Sequence, residues 1–137
     1  GDLVGSDASS MREALALYSD LGDWVGKVDD SFEFISNLDC LVVPSYREGL
    51  PRVMLEAGLV GCPVIGTNVP GVKDVLIDGY NGFICEPRSG RDIAIKIQKF
   101  ASLSYSDMLV MRRNARDNVD ARFSVVLVIK AYREFYE

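Results

Sequence analysis

Apolar and polar positions along this chain follow two rhythms, and the switches between them mark out its elements. "SSMREALALYSDLG" has helical spacing, with Ser10 and Glu13 in capping-box register and Gly22 past the end. "WVGKV" reads as a short strand, Trp24 to Val28, and "DDSFEFISN" as a short helix for which Asp29 or Asp30 is a suitable cap. "CLVVP" is a near-continuous apolar run, the kind that a parallel sheet buries on both faces. Pro51 opens the next helix, since its missing N–H costs nothing there, and Val53, Met54, Ala57 and Val60 make its buried stripe. "PVIGT" is another buried strand and "GVKDVLID" a short helix after the Pro70-Gly71 turn. "GYNG" turns into a last strand, "FICE".

The remainder carries helical periodicity. Arg91 to Ala101 places Ile93, Ile97 and Phe100 on one face, and Ser104 to Ala121 does so with Met108, Met111 and Ala115. Ser124 to Tyr136 offers Val125, Val128, Ile129 and Tyr132, and Leu3-Val4 reads as the remains of a strand. Strand-helix alternation with short links predicts an α/β fold, a doubly wound, mainly parallel Rossmann-like sheet with right-handed crossovers. No repeat, low-complexity tract or internal linker interrupts it, so residues 1–137 read as one domain, long enough to bury a sizeable core.

Composition narrows the function classes. Hydrophobic residues make up 48%, yet no apolar run is long enough to cross a membrane, and no secretory signal is evident at the start. A net charge of −5 argues against nucleic acid, which wants concentrated Lys and Arg; Arg112, Arg113 and Arg116 read as a solvated helix face. Cys40, Cys62 and Cys85 each neighbour apolar residues, as buried thiols do. With no histidine and no CxxC, neither a zinc site nor a Ser-His or Cys-His nucleophile is predicted. A reduced, intracellular protein is the simplest reading.

The chemistry-bearing stretch is "PSYREGLPRVMLEA", Pro44 to Ala57, at the carboxyl end of a predicted strand, where open α/β sheets collect ligands. The helix beginning near Pro51 presents unpaired N–H groups and a positive dipole end, which suit a phosphate; Arg52 and Val53 are its donors. Gly49 lets backbone approach a ligand closely. Glu48 precedes the corner, and Glu56 leans back towards it from the second turn, so two carboxylates can face one crevice. Carboxylates accept paired hydrogen bonds from vicinal hydroxyls, so the set suits a ligand with sugar, diphosphate and ribose in a row, a sugar nucleotide. The plainer alternative stays open: Arg52 and Glu56 as a surface ion pair, and Glu48 as a solvated loop residue.

"PSYREGLPRVMLEAGLVGCPVIGTNVPGVKDVLIDGYNGFICEP" closely resembles the C-terminal, donor-binding domain of retaining glycosyltransferases of family 4, one half of the GT-B architecture. The features that carry the likeness are Pro44-Ser45, Glu48-Gly49, Glu56-Ala57, Gly61-x-Pro63-Val64 and the Asp78-Gly79…Asn81-Gly82 turn. The resemblance implies that Glu48 is the catalytic-site acid touching the donor sugar, that Glu56 binds the ribose, and that the amides of Gly49 and Leu50 meet the sugar or diphosphate. Lys27 and Val28 resemble the segment that holds the base. It also implies transfer with retention from a nucleotide sugar to a glycan or lipid-linked acceptor, as in polysaccharide biosynthesis, without metal or other cofactor. The location implied is cytoplasmic, at most peripheral on the inner membrane face.

The likeness has gaps. The family's donor domain opens with a strand and helix bearing an Arg and a Lys for the diphosphate, and no such segment precedes Gly1. A strand would then be missing between Leu3-Val4 and Cys40-Pro44, to be met by closure of the sheet or by another segment or chain. The acceptor domain of the parent chain is a required partner, and this chain alone is expected to be catalytically silent. The main rival is a non-catalytic nucleotide-binding or interaction module on the same fold. A sugar-nucleotide epimerase wants histidine, and a receiver domain wants an acidic pocket that Asp39, at a strand's beginning, does not supply.

Overall fold

The structure is a computed structural model that describes residues 13–124 except residue 15. The chain divides into two compact units, residues 1–30 and 31–137. In the first, residues 13, 14, 16 and 17 are helical, and Tyr18 donates its N–H to the Ala14 carbonyl before a turn at 18–21. The strand expected over Trp24–Val28 is not formed: residues 22–28 have no regular structure. Gly26 sits at φ 65, in the left-handed region, which breaks an extended run, and Trp24 and Val25 are exposed.

The second unit runs α1 (Ser31–Ser36), β1 (Leu41–Val43), α2 (Arg52–Leu59), β2 (Val64–Thr67), α3 (Pro70–Val75), β3 (Gly82–Cys85), α4 (Gly90–Ala101) and α5 (Tyr105–Phe123). The strands form a parallel sheet ordered β1-β2-β3, with Val42 opposite Ile65 and Ile65 opposite Phe83. Every residue of β2 is buried, the signature of a central parallel strand. One core layer gathers Met54 and Ala57 of α2 with Val43, Val64, Val72 and Val75; the other gathers Ile65, Phe83, Cys85 and Met111. α2 lies close against α5 because Gly58 carries no side chain: a Cβ there would stand 2.2 Å from Val119.

Several expectations need correction. β1 is not buried on both faces, since Val42 is 37% exposed; among the described residues β1 is an edge strand. In a parallel ladder alternate residues bond to one neighbour, and Leu41 N–H donates to Pro63, so the main-chain groups of Val42 face the open side. The same edge leaves Ile97 of α4 half uncovered, beside an apolar cleft of about 630 Å³ lined also by Val42, Phe100 and Met108. Pro51 is the N-cap of α2 with φ −75 and ψ 107, and the helix starts at Arg52. The buried face of α2 is Met54, Glu56, Ala57 and Gly58; Val53 is exposed and Val60 lies past the end. α3 stops at Val75, because Asn81 takes over its end: its amide donates to the Val75 carbonyl (3.0 Å) and its carbonyl accepts from Ile77 N–H (2.7 Å). α5 runs to Phe123, two residues further than expected, after the Ser104 cap accepts from Asp107 N–H. Leu3-Val4, the start of the first predicted helix and the helix predicted after Ser124 lie outside the described residues.

Candidate functional site

All three strands point the same way, so the chain leaves β1, β2 and β3 on one side of the sheet. There the corner 44–51 forms an open cleft of about 530 Å³, lined by Tyr46, Arg47, Glu48, Gly49 and Pro70. The corner is fixed from below. Thr67, the last residue of β2 and 1% exposed, donates its hydroxyl to the Ser45 carbonyl. Ser45 in turn donates its own hydroxyl to Glu48 Oε1 across 2.6 Å. The carboxylate at the cleft wall is therefore oriented by a two-step relay from the buried sheet.

The second support is a close approach of main chains. A Cβ on Gly71, in the first turn of α3, would fall 1.5 Å from the Gly49 carbonyl oxygen and 2.6 Å from that of Glu48. Only glycine permits the start of α3 to touch the corner this way.

Beyond the corner, α2 begins without a side-chain cap and without an acid in its first turn. α4 and α5 contrast with it, since Ser89 and Ser104 accept from Asp92 and Asp107 N–H. The N–H groups of Arg52 and Val53 have no partner within the helix, by the geometry of any helix start. Glu56 is 9% exposed and its Oε1 accepts from Arg52 Nε at 3.1 Å. Because the Arg52 side chain is 89% exposed, the pair is worth a few tenths of a kcal/mol and yields readily to another partner.

The expected site residues separate into three groups. Glu48 and Gly49 line the cleft; Leu50, Arg52 and Val53 follow on its exposed shoulder. Glu56 is buried one turn into α2, where it pairs with Arg52, and it is not among the residues that line the cleft. Lys27 is exposed and Val28 half-buried, both in the first unit. Tyr46, Arg47, Thr67, Pro70 and Gly71 were not singled out from the sequence. The hint for Gly71 was its place directly after Pro70, at a helix start on the ligand side of the sheet.

Arg88 is a further feature of this edge. It follows Pro87 in the turn after β3 and is the single non-glycine residue with positive φ (62) among those described. That conformation costs on the order of 1 kcal/mol for a residue with a Cβ. Its guanidinium lies over the Tyr46 ring, 5.5 Å from the centroid, a contact worth about 0.5–1 kcal/mol at an exposed site. The contact thus does no more than offset the strain.

The thiols offer no nucleophile. Burial pushes Cys40 up to about 12 and raises Cys62 and Cys85, so all three stay protonated at neutral pH. Among the described residues no group of three or more His, Cys, Asp or Glu is placed to hold a metal ion.

Residues 9–118 match the family described as Glycosyl transferases group 1. The chain is 34% identical over 109 residues to the capsular polysaccharide biosynthesis glycosyltransferase CapM of Staphylococcus aureus, covering 80% of this chain and 28% of that protein. It is 30% identical over 116 residues to the N-acetyl-alpha-D-glucosaminyl L-malate synthase of Bacillus anthracis, covering 82% and 29%. The chain therefore spans less than a third of either relative. Among solved structures it superposes on the sucrose-phosphate synthase of Thermosynechococcus elongatus with TM-score 0.82 and 25% identity, over 96% of this chain and 35% of that one. It superposes on Anabaena HepE, solved with UDP, with TM-score 0.87 and 21% identity, over 93% and 36%.

Proposed function

The chain belongs to the group 1 glycosyl transferases, with the α/β fold of a GT-B enzyme, and we propose that it is the donor-binding part of a retaining transferase that works without a metal. The observation that carries this reading is the Glu48 carboxylate, pinned by Ser45 at the mouth of an open cleft, next to the uncapped start of α2.

In this reading the sugar of a nucleotide-diphosphate donor lies in the cleft, where Glu48 accepts hydrogen bonds from its hydroxyls. The amides of Gly49 and Leu50 and the helix-start amides of Arg52 and Val53 receive the diphosphate. Glu56 turns from Arg52 to the ribose hydroxyls, at little cost because that pair is weak. Lys27 and Val28 hold the base by backbone groups. As the bond from the anomeric carbon to the diphosphate breaks, its electron pair leaves with the phosphate, and helix-end amides stabilise the growing charge. The acceptor hydroxyl forms the new bond on the same face of the sugar and passes its proton to the departing diphosphate.

The acceptor in this proposal is a glycan or a lipid-linked glycan, met by another domain of the parent protein, on the cytoplasmic side. The family match and the polysaccharide role in CapM's name support the glycan part of this reading. No described helix is long and apolar enough to cross a membrane. Calorimetric titration with UDP, GDP and ADP tests the reading. Saturable binding of one nucleotide, weakened in Glu56→Ala, supports it and identifies the base; unchanged binding in that variant removes the ribose role.

A further inference from the structure

The turn after β3 is shaped around an arginine that the fold does not need, and we propose that Arg88 is a specificity-determining residue that receives the carboxylate of an acidic sugar, a hexuronate, at the cleft wall formed by Tyr46. The inference rests on the donor-site reading above and goes beyond it by naming the class of sugar.

The first observation is conformational. Arg88 holds φ 62, where glycine would sit without strain. The start of α4 is already secured without it: Ser89 Oγ accepts from Asp92 N–H at 3.1 Å, and the Asp92 carboxylate accepts from Glu86 N–H at 2.7 Å. Nothing in the turn calls for a guanidinium, so the strain points to a use outside the turn.

The second observation is placement. The guanidinium carbon lies over the Tyr46 ring, 5.5 Å from its centroid, and that ring lines the same cleft as Glu48. A guanidinium carries its N–H groups in one plane, where they match the two oxygens of a carboxylate. No carboxylate of the described residues is paired with it; Glu56 pairs with Arg52 and Asp120 with Arg116.

The third is charge. The chain carries −5 overall and Glu48 stands in the cleft, so an acidic sugar entering it meets repulsion unless a cation is provided. Arg47 in the cleft lining and Arg88 across Tyr46 provide that cation at one end. The diphosphate has its own reception at the start of α2, which leaves the sugar as the part of the ligand for Arg88 to read.

A hexuronate can arrive on the donor or as the terminal unit of the acceptor, and two titration arms separate these sources. In the full-length protein, one arm compares UDP-glucuronate with UDP-glucose, and GDP-mannuronate with GDP-mannose. The other compares a glucuronate-terminated disaccharide with its neutral counterpart, in the presence of saturating nucleotide. Wild-type protein is expected to prefer the acidic member of one arm by about tenfold, the scale of one charge-assisted bidentate contact. Arg88→Gly should abolish that preference while melting no lower than wild type, because glycine accepts the backbone conformation. Arg88→Lys should keep only part of it, since an ammonium cannot pair in the same planar way. Absence of the preference in both wild-type arms, or its survival in Arg88→Gly, overturns the proposal. If wild-type protein binds no nucleotide at all, the donor-site reading fails and takes this inference with it.

Discussion

Ser45 donates a hydrogen bond from its hydroxyl to the Glu48 carboxylate across 2.6 Å, while its carbonyl accepts one from the hydroxyl of Thr67. One small residue thus ties the cleft carboxylate to the most buried strand of the sheet, and the consequences can be measured.

Ser45→Ala removes the bond that orients Glu48, a loss of about 1 kcal/mol, the scale of a typical net hydrogen bond. Affinity for the sugar nucleotide should fall several-fold, with affinity for the bare nucleotide nearly constant. Ser45→Thr restores the hydroxyl and should recover most of the loss. Titration of the three proteins with both ligands checks the split; an equal fall for both ligands would refute an orienting role.

Gly71→Ala should be costly. The added methyl meets the Gly49 carbonyl at 1.5 Å, against main chain that cannot rotate away. The corner must shift, at roughly 1–3 kcal/mol of stability. Urea unfolding should show a lower midpoint with the same slope, and sugar-nucleotide affinity should fall with it.

Arg52→Ala should change stability by less than about 0.5 kcal/mol, because the arginine half of its pair with Glu56 is exposed. Thermal melting checks this. A large loss would mean that the Glu56 carboxylate, 9% exposed, depends on Arg52 far more than a solvated pair allows.

Cys40 supplies a pH dependence. Its thiol titrates near 9.0 when exposed and is pushed by burial up to about 12 in the fold. Between those values the unfolded chain releases a proton that the folded chain keeps, so this group's contribution lowers stability as pH rises from about 9 to 12. Denaturant melts of wild type and Cys40→Ala across that window should diverge in slope, with the wild type falling more steeply.

Much of the fold was legible because burial on two sides leaves an unmistakable trace. The run Val64–Thr67 is apolar or small throughout and is fully buried, as a central strand must be. Leu41–Val43 has the same look in sequence but lies at the edge among the described residues, which composition cannot tell, since edge or centre is decided by segments elsewhere. The apolar Trp24-Val25 pair suggested a strand, yet one left-handed glycine, Gly26, was enough to break it. Within the site, Glu48 could be read from its place beside a glycine at a strand's carboxyl end. Tyr46, Thr67, Gly71 and Arg88 could not, because their parts depend on which loops the sheet brings side by side and on a backbone angle. Glu56 shows the limit of spacing arguments: the right helix turn places it near the corner, and side-chain rotation hands it to Arg52.

The contact between Gly49 and Gly71 involves no side chain at all. At that point the path of the corner is set by two main chains, and Tyr46 and Arg47 project from the corner with their side chains exposed to solvent. Their identities can drift without moving the carboxylate of Glu48. The site separates a frame that must not change from a facing that is free to, and a library restricted to positions 46, 47 and 88 would explore new sugars without risking the scaffold.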